Sequence, residues 1–135
     1  MPTLLEIVAP DRLLLAQPVD MVVIPASEGD MGVLPGHSPM IVLLRGGTIT
    51  LHEGGRPTAQ LFVSGGFAEV TPERCTVLAD EATPVAEVSR ATAEARLREA
   101  EAEYAEADKM NIPAVEAAMS RMQSARAMIA ASGAA

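Results

Sequence analysis

Tryptophan is absent from this chain of 135 residues, and its only aromatic side chains are Phe62, Phe67 and Tyr104. A folded core must therefore be built from aliphatic side chains, methionine and alanine. These are abundant, because 49% of the residues are hydrophobic. The length is enough for one ordinary domain or for two small units.

Positive charge is also scarce, since 10 lysines and arginines stand against 18 acidic residues and give a net charge of −8. A nucleic-acid-binding protein needs a basic surface that displaces counterions from phosphates. Tight binding to anionic lipid needs the same sign of charge. We therefore expect neither nucleic acid nor a lipid surface as a direct partner.

Cysteine and long apolar runs are nearly missing. The lone Cys75 excludes an internal disulfide and a cysteine-rich zinc site, and its strand-like neighbours predict a buried thiol. The longest apolar run, Met40–Leu44, is far shorter than the ~18 residues that cross a bilayer. The first residues lack the basic leader of a signal peptide. If this protein acts at a membrane, we expect another protein to hold it there.

Turn-forming residues are concentrated in one part of the chain. All but one of the ten prolines and all but one of the ten glycines lie in residues 1–84. Residues 85–135 contain seventeen alanines instead. Because proline and glycine mark turns and alanine favours helix, we predict a β domain over 1–84 and a helical domain over 85–135.

The first part reads as short apolar segments separated by turns. Such spacing is typical of a β sandwich or barrel. The acidic segment 27–32 is interpreted as a loop, because two carboxylates are too few for a calcium site. The predicted strands are 4–8, 19–24, 40–44, 48–52, 59–63, 67–70 and 75–79.

The second part reads as two helices joined by a turn at 108–113, with Asn111 as a cap and Pro113 in the first turn. Apolar spacings of three and four predict the seam of an antiparallel hairpin. Alanine offers little area, so the hairpin should be weakly held. The predicted seam residues are Ala93, Leu97, Ala100, Tyr104 and Ala107 in the first helix, and Ile112, Val115, Met119, Met122 and Ile129 in the second.

His37 and Ser38 are the only adjacent pair that suggests nucleophilic catalysis. A serine nucleophile needs a base and an acid that face it in space. Neighbours held between Pro35 and Pro39 rarely face each other, so a rigid turn is the favoured interpretation. The chain shows no metal-ligand pattern, and we predict neither catalytic residues nor a metal site.

Glycine-rich stretches occur at 45–47 and 64–66. Neither has the lysine of a phosphate-binding loop, so bulges or tight strand turns explain them better.

The arginines of the hairpin leave two interpretations open. Arg90 and Arg126 fall on the predicted seam near its open end, with Arg121 between, and could bracket a nucleotide phosphate. Alternatively, Arg90 pairs with Glu87 and Glu94 at i−3 and i+4. The second interpretation is favoured from spacing alone.

Three motifs occur in order along the chain: G-x-x-P-G-H-x-P at 32–39, S-G-G-x-x-E-V at 64–70 and V-L-A-D at 77–80. With the alanine-rich hairpin behind them, they resemble the epsilon-subunit family of bacterial F-type ATP synthases over essentially the whole chain. The resemblance implies a ten-stranded β sandwich followed by a helix–turn–helix domain. It also implies a non-catalytic rotor subunit that helps couple proton flow to ATP synthesis.

The resemblance also implies partners and a location, the cytoplasmic face of the bacterial inner membrane. Pro35, His37 and Met40 would lie near the gamma subunit, and Glu28 and Asp30 would face the c-ring. The helices of the family can extend towards the alpha and beta subunits and inhibit ATP hydrolysis. Strong inhibition is not expected here, because the second helix has few basic residues.

Some family members bind ATP through a motif I/L-D-x-x-R-A and arginines of the second helix. Arg90, Ala91 and Arg121 match, but Glu87 replaces the aspartate. The other expected arginine falls on Ala125, next to Arg126. We therefore expect ATP binding to be weak or absent, and no cofactor.

Three alternatives stay open: a nucleotide-sensing module, a hydrolase using His37 and Ser38, and an adaptor unrelated to ATP synthase.

Overall fold

The computed structural model describes residues 2–134, which form ten β-strands followed by two helices. The ten-stranded sandwich with a helical hairpin behind it is therefore confirmed. The strands are β1 (Thr3–Ala9), β2 (Arg12–Val19), β3 (Met21–Ala26), β4 (Gly29–Val33), β5 (Met40–Leu44), β6 (Gly47–Glu53), β7 (Arg56–Val63), β8 (Gly66–Val70), β9 (Arg74–Ala79) and β10 (Ala82–Pro84). A 3₁₀ turn (Val85–Glu87) leads to α1 (Arg90–Glu106) and α2 (Ile112–Ala134).

The strands are hydrogen-bonded in the order β10-β7-β6-β3-β5-β8-β9-β1-β2, and β4 pairs with β3 beside this path. The β1–β9 pair is parallel, and the other described pairs are antiparallel. Strands β3 and β5 share a single residue pair, Ala26 with Leu44. The sheet folds over at this corner, so that its two halves face each other as the layers of a sandwich.

Alternating side chains fill the space between the layers. In β1 the side chains of Leu5 and Ile7 are fully buried, and in β9 those of Cys75 and Val77 are. The alternation follows from the period of two along a strand, which turns every second side chain inward. The predicted burial of Cys75 is confirmed.

Three strands were missed from the sequence. The interpretation of 27–32 as a loop is wrong, because β4 begins at Gly29 and pairs Asp30 with Pro25 of β3. Only Ser27 and Glu28 form the turn. Strand β4 is five residues long and has only two apolar side chains, Met31 and Val33, so its alternation is too short to predict a strand. Strand β2 is an edge strand that contains a proline, and β10 is very short.

The helix boundaries follow capping residues. The Ser89 hydroxyl accepts a hydrogen bond from the Thr92 N–H at 3.2 Å and caps α1. Asn111 Oδ1 accepts one from the Ala114 N–H at 3.3 Å, which confirms the predicted cap of α2. Glu87 lies outside α1, because the 3₁₀ turn and the extended Val88 precede the Ser89 cap.

The predicted seam of the second helix is wrong in part. Ile112 and Met119 are 55% and 54% exposed. Arg126 is exposed as well. The helices pack both on each other and on the sandwich, and such close approach selects small side chains. The described buried residues of the hairpin are Ala93, Ala100, Ala118, Ala125, Met128 and Ala131.

Candidate functional site

The loop between β4 and β5 begins with a hydrogen-bonded turn. The His37 N–H donates to the Leu34 carbonyl oxygen at 3.2 Å, Pro35 occupies the second position, and Gly36 has φ 83°. Proline followed by a residue with positive φ is the signature of a type II turn. The Gly36 N–H also donates to the Pro72 carbonyl oxygen at 2.8 Å. The turn is thereby tied to the loop that joins β8 and β9.

His37 and Ser38 do not form a catalytic pair. His37 Nδ1 lies 2.8 Å from the Ser38 backbone oxygen, so the imidazole faces a carbonyl and not the hydroxyl. A serine nucleophile needs its base at the hydroxyl. In residues 2–134, no group of three or more histidine, cysteine or acidic side chains is placed to hold a metal ion. The geometry gives no support to a hydrolase.

An apolar row crosses the outer surface of one layer. Leu43 of β5 lies opposite Phe67 of β8, and Phe67 lies opposite Leu78 of β9. The row continues through Val8 of β1 to Leu13 of β2. Directly opposed residues share a face of the sheet, so these five side chains form one continuous strip.

The apolar row is open to solvent. Leu43 is 66% exposed, Leu13 55% and Phe67 44%. Ile41, two positions before Leu43 on the same strand, is 73% exposed and extends the strip towards the Pro35–His37 turn. Contiguous exposed apolar surface of this kind marks interaction sites. The sequence signal for it was the uninterrupted apolar strand 40–44, in which outward-facing positions should have been polar.

The two acidic residues predicted to face a partner lie in different local structures. Glu28 is exposed in the turn between β3 and β4. Asp30 lies within β4, is also exposed, and accepts a hydrogen bond from Arg45 Nη2 at 3.4 Å. Arg45 Nε donates to the Ala26 carbonyl oxygen at 3.1 Å. One arginine therefore connects both ends of this acidic turn.

The hairpin docks on the sandwich through a small mixed interface. Phe62 of β7 is fully buried in a cluster with Met128 and Ala131 of α2. Gln123 of α2 exchanges two hydrogen bonds with the Gly46 backbone, at 2.9 and 2.7 Å. Arg96 of α1 pairs with Glu81 at 2.9 Å.

The hairpin arginines are engaged separately. Arg90 Nε binds Glu94 Oε1 at 2.8 Å, as the i+4 spacing indicated. Arg121 Nε binds Glu103 of α1 at 2.9 Å, and this hydrogen bond lowers the pKa of the Glu103 carboxyl and raises that of Arg121. Arg126 lines a different groove, on the β6 side of the hairpin. The two arginines of α2 therefore do not converge on one cavity.

A cavity of about 480 Å³ lies between the hairpin and the sandwich. Its charged lining consists of Asp80, Arg96, Glu99, Glu103 and Arg121. Both arginines are already paired, with Glu81 and Glu103. A polyphosphate would meet more negative than positive charge here. In the part of the chain described, no helix is long and apolar enough to cross a membrane.

Residues 3–85 match the family described as "ATP synthase, Delta/Epsilon chain, beta-sandwich domain". The chain is 63% identical over 129 residues to the ATP synthase epsilon chain of Granulibacter bethesdensis, covering 96% of each. It is 50% identical over 133 residues to that of Gluconacetobacter diazotrophicus, covering 98% of this chain and 94% of the relative. A chain of the Euglena gracilis mitochondrial ATP synthase has a similar fold, with a TM-score of 0.76, 27% identity and coverage of 96% and 81%.

Proposed function

The chain belongs to the ATP synthase delta/epsilon chain family, and on this basis we propose that it is a non-catalytic subunit of the central stalk of a bacterial F-type ATP synthase. It couples proton translocation to ATP synthesis by joining the membrane rotor to the gamma subunit. It stays at the cytoplasmic face of the inner membrane through its partners alone. The single observation that carries this proposal beyond family membership is the exposed apolar row on a sandwich whose core is already complete.

The apolar row is the gamma-docking face. Its end at Ile41 lies near the turn that holds Pro35 and His37, and Met40, the first residue of β5, joins the turn to this strand. Met40 is 42% exposed. Because a rotor subunit transmits torque, its contact must be stiff. A hydrogen-bonded type II turn next to a sheet face supplies that stiffness.

Replacing Leu43 with glutamate should weaken binding to the catalytic core at least about 30-fold, because burying one leucine contributes about 2 kcal/mol and a buried charge costs more. The measurement is surface plasmon resonance with immobilised ATP synthase core of Granulibacter bethesdensis purified without its epsilon chain.

Met110→Glu is the matched control, since Met110 is 87% exposed at the tip of the hairpin, away from the apolar row. It should bind as the unmodified chain does. If the Leu43 variant bound the core as tightly as the unmodified chain, the assignment of the apolar row as the docking face would be wrong. Failure of the unmodified chain to bind at all would contradict the proposed function itself and favour an unrelated adaptor.

The acidic turn, residues 26–30, is the c-ring contact. Glu28 and Asp30 project at the corner where β3 and β4 meet, and both are exposed. The positive charge of Arg45 balances the negative charge of Asp30, and this ion pair gives the turn a defined shape. Polar loops of a partner would meet carboxylates here rather than an apolar surface.

The hairpin contacts the alpha and beta subunits when it leaves the sandwich. Strong inhibition of ATP hydrolysis is not expected, since α2 offers only Arg121 and Arg126 to acidic surfaces. Arg121 is further engaged by Glu103. Adding the chain back to the stripped core should therefore slow hydrolysis by less than about twofold, the effect of a few tenths of a kcal/mol.

Nucleotide binding at the hairpin is weak or absent. Glu87 lies in the 3₁₀ turn outside α1, Arg90 is paired with Glu94, and Arg121 and Arg126 line different cavities. Calorimetric titration of the full chain with magnesium-ATP should give no saturable heat below about 1 mM. An Arg121→Ala chain serves as the control for non-specific heat. Micromolar affinity that disappears in this control would favour the nucleotide-sensing alternative.

A further inference from the structure

Arg45 and Gly46, the two residues between β5 and β6, are held from opposite sides. The Arg45 backbone N–H donates to the Pro25 carbonyl oxygen at 3.0 Å, and its side chain binds Ala26 and Asp30 at 3.1 and 3.4 Å. Gly46 is bound through both backbone groups by Gln123 of α2. One short link therefore contacts the acidic turn and the helical hairpin at the same time.

The contact at Gly46 requires close approach of two backbones. A Cβ placed on this buried glycine would lie 2.6 Å from Ser124 Cα, closer than real Cβ contacts. The backbone φ of Gly46 lies outside the left-handed region, so alanine would meet no conformational strain of its own. The absence of a side chain at this position serves the docking of α2 and not the local turn.

The acidic turn and α2 also line one groove. Asp30 and Arg45 form part of one wall of a groove of about 630 Å³, and Gln123 and Arg126 form part of the other. Arg126 follows Gln123 by three residues and so lies on the same side of the helix. When the hairpin is docked, a third charge faces the Arg45–Asp30 ion pair across this groove.

We propose that the Arg45–Gly46 link couples the position of the hairpin to the order of the acidic turn. Docking of α2 fixes the Gly46 backbone, which holds Arg45 where it can bind Ala26 and Asp30. Release of α2 leaves Gly46 unbound, loosens Arg45 and frees the Asp30 carboxylate. In the proposed function, on which this consequence rests, the hairpin position sets the stiffness and charge of the c-ring contact.

The coupling works in both directions. If docking orders the acidic turn, a partner that orders the acidic turn must favour docking by the same factor. Engagement of residues 26–30 therefore keeps the hairpin on the sandwich. Loss of that engagement favours its release.

The test measures amide hydrogen exchange by NMR in the isolated full chain, so it does not depend on any ATP synthase subunit. Two variants release the hairpin from different sides: Gly46→Ala by steric conflict with Ser124, and Met128→Asp by charging the Phe62 cluster, away from the link. The resonances of the Phe62 ring report whether the hairpin is docked. Gly133→Ala is the control, because a Cβ there meets no atom within 4 Å.

Both release variants should shift the Phe62 ring signals and raise exchange about tenfold in residues 26–30, and the control should change neither. Exchange that stays unchanged in residues 26–30 while the Phe62 signals show release would overturn the coupling. So would an increase confined to Gly46→Ala, which would be a local effect of the substitution. If neither variant released the hairpin, the assigned docking contacts would be wrong. None of these outcomes depends on binding to the ATP synthase core. Failure of the proposed function would instead show in the plasmon-resonance experiment.

Discussion

Replacing Gly66 with alanine should lower the free energy of unfolding by about 3 to 5 kcal/mol, a large share of the stability of a small domain. Gly66 opens β8 with φ 132°, a conformation that residues with a side chain rarely adopt. A Cβ there would lie 2.1 Å from the Leu78 carbonyl oxygen of the neighbouring strand. That oxygen is backbone within the sheet, so it cannot move without breaking the β8–β9 ladder.

Gly32→Ala is the matched control for this prediction. Gly32 also lies in a strand of the sandwich and in one of the recognised motifs, but its backbone φ is ordinary. A Cβ there would lie 3.5 Å from Met21 Sδ, a normal contact. Its free energy of unfolding should stay within about 1 kcal/mol of that of the unmodified chain. Denaturant unfolding followed by circular dichroism compares the three chains, and a Gly66 variant as stable as the control would show that the strand tolerates a side chain.

Gly66 shows which part of a glycine's role can be predicted from a sequence motif and which part cannot. The stretch 64–66 was interpreted as a bulge or a tight turn, and the positive φ values of Gly65 and Gly66 agree with that interpretation. The reason for the glycine, however, is the close approach of Leu78, which lies twelve residues later in the chain. Only the folded sheet brings the Leu78 carbonyl oxygen to this position.

Core strands could be predicted because their short apolar segments stand between turn-forming residues. Strand β5 was located at its bounds, 40–44, while β4 was missed. Strand β4 contains Asp30 and two glycines, and only Met31 and Val33 of its five residues pack towards the core. Hydrophobic pattern therefore predicts strands with several consecutive apolar residues and misses a short strand in which glycine and aspartate fill the exposed positions.

In the helices, too, local features could be predicted from the sequence and contacts with distant parts of the chain could not. Capping is local, so Asn111 was found from the sequence. The buried face of α2 depends on the sandwich below it, where Phe62 receives Met128 and Ala131. Large side chains such as Met119 stay outside because the close contacts are made by alanine. The spacing of apolar residues along the helix therefore does not predict which face of α2 is buried.

Among the candidate sites, the one formed by neighbouring residues could be predicted from the sequence, and those formed by distant residues could not. The turn around Pro35 and Gly36 is local and was predicted. The apolar row was not, because it joins five strands through their register, and two of those strands, β1 and β2, are far from β5 in sequence. Spacing alone allows the arginines to bracket one anion, but the structure engages Arg90 with Glu94 and Arg121 with Glu103.

The stability of the sandwich should also depend on the thiol of Cys75 at alkaline pH. Burial raises the pKa of this thiol from 9.0 to about 11, because the thiolate would lose its hydration in the core. A group whose pKa is higher in the folded state contributes stability that is complete below the unfolded pKa. That contribution is then lost as the pH rises towards the folded pKa. The free energy of unfolding should therefore fall by about 1 kcal/mol per pH unit between pH 9 and 11 through this group.

Cys75→Ala separates this effect from the titration of tyrosine and lysine, since it removes the thiol and leaves those groups in place. At neutral pH the variant should be less stable, because a smaller side chain in a fully buried site leaves a void. Between pH 9 and 11 the unmodified chain should lose about 2 kcal/mol more than the variant, so that the difference in stability between the two chains becomes smaller. Parallel loss of stability in both chains would mean that Cys75 titrates in the core as it does in water, which is incompatible with its position between the two layers of the sandwich.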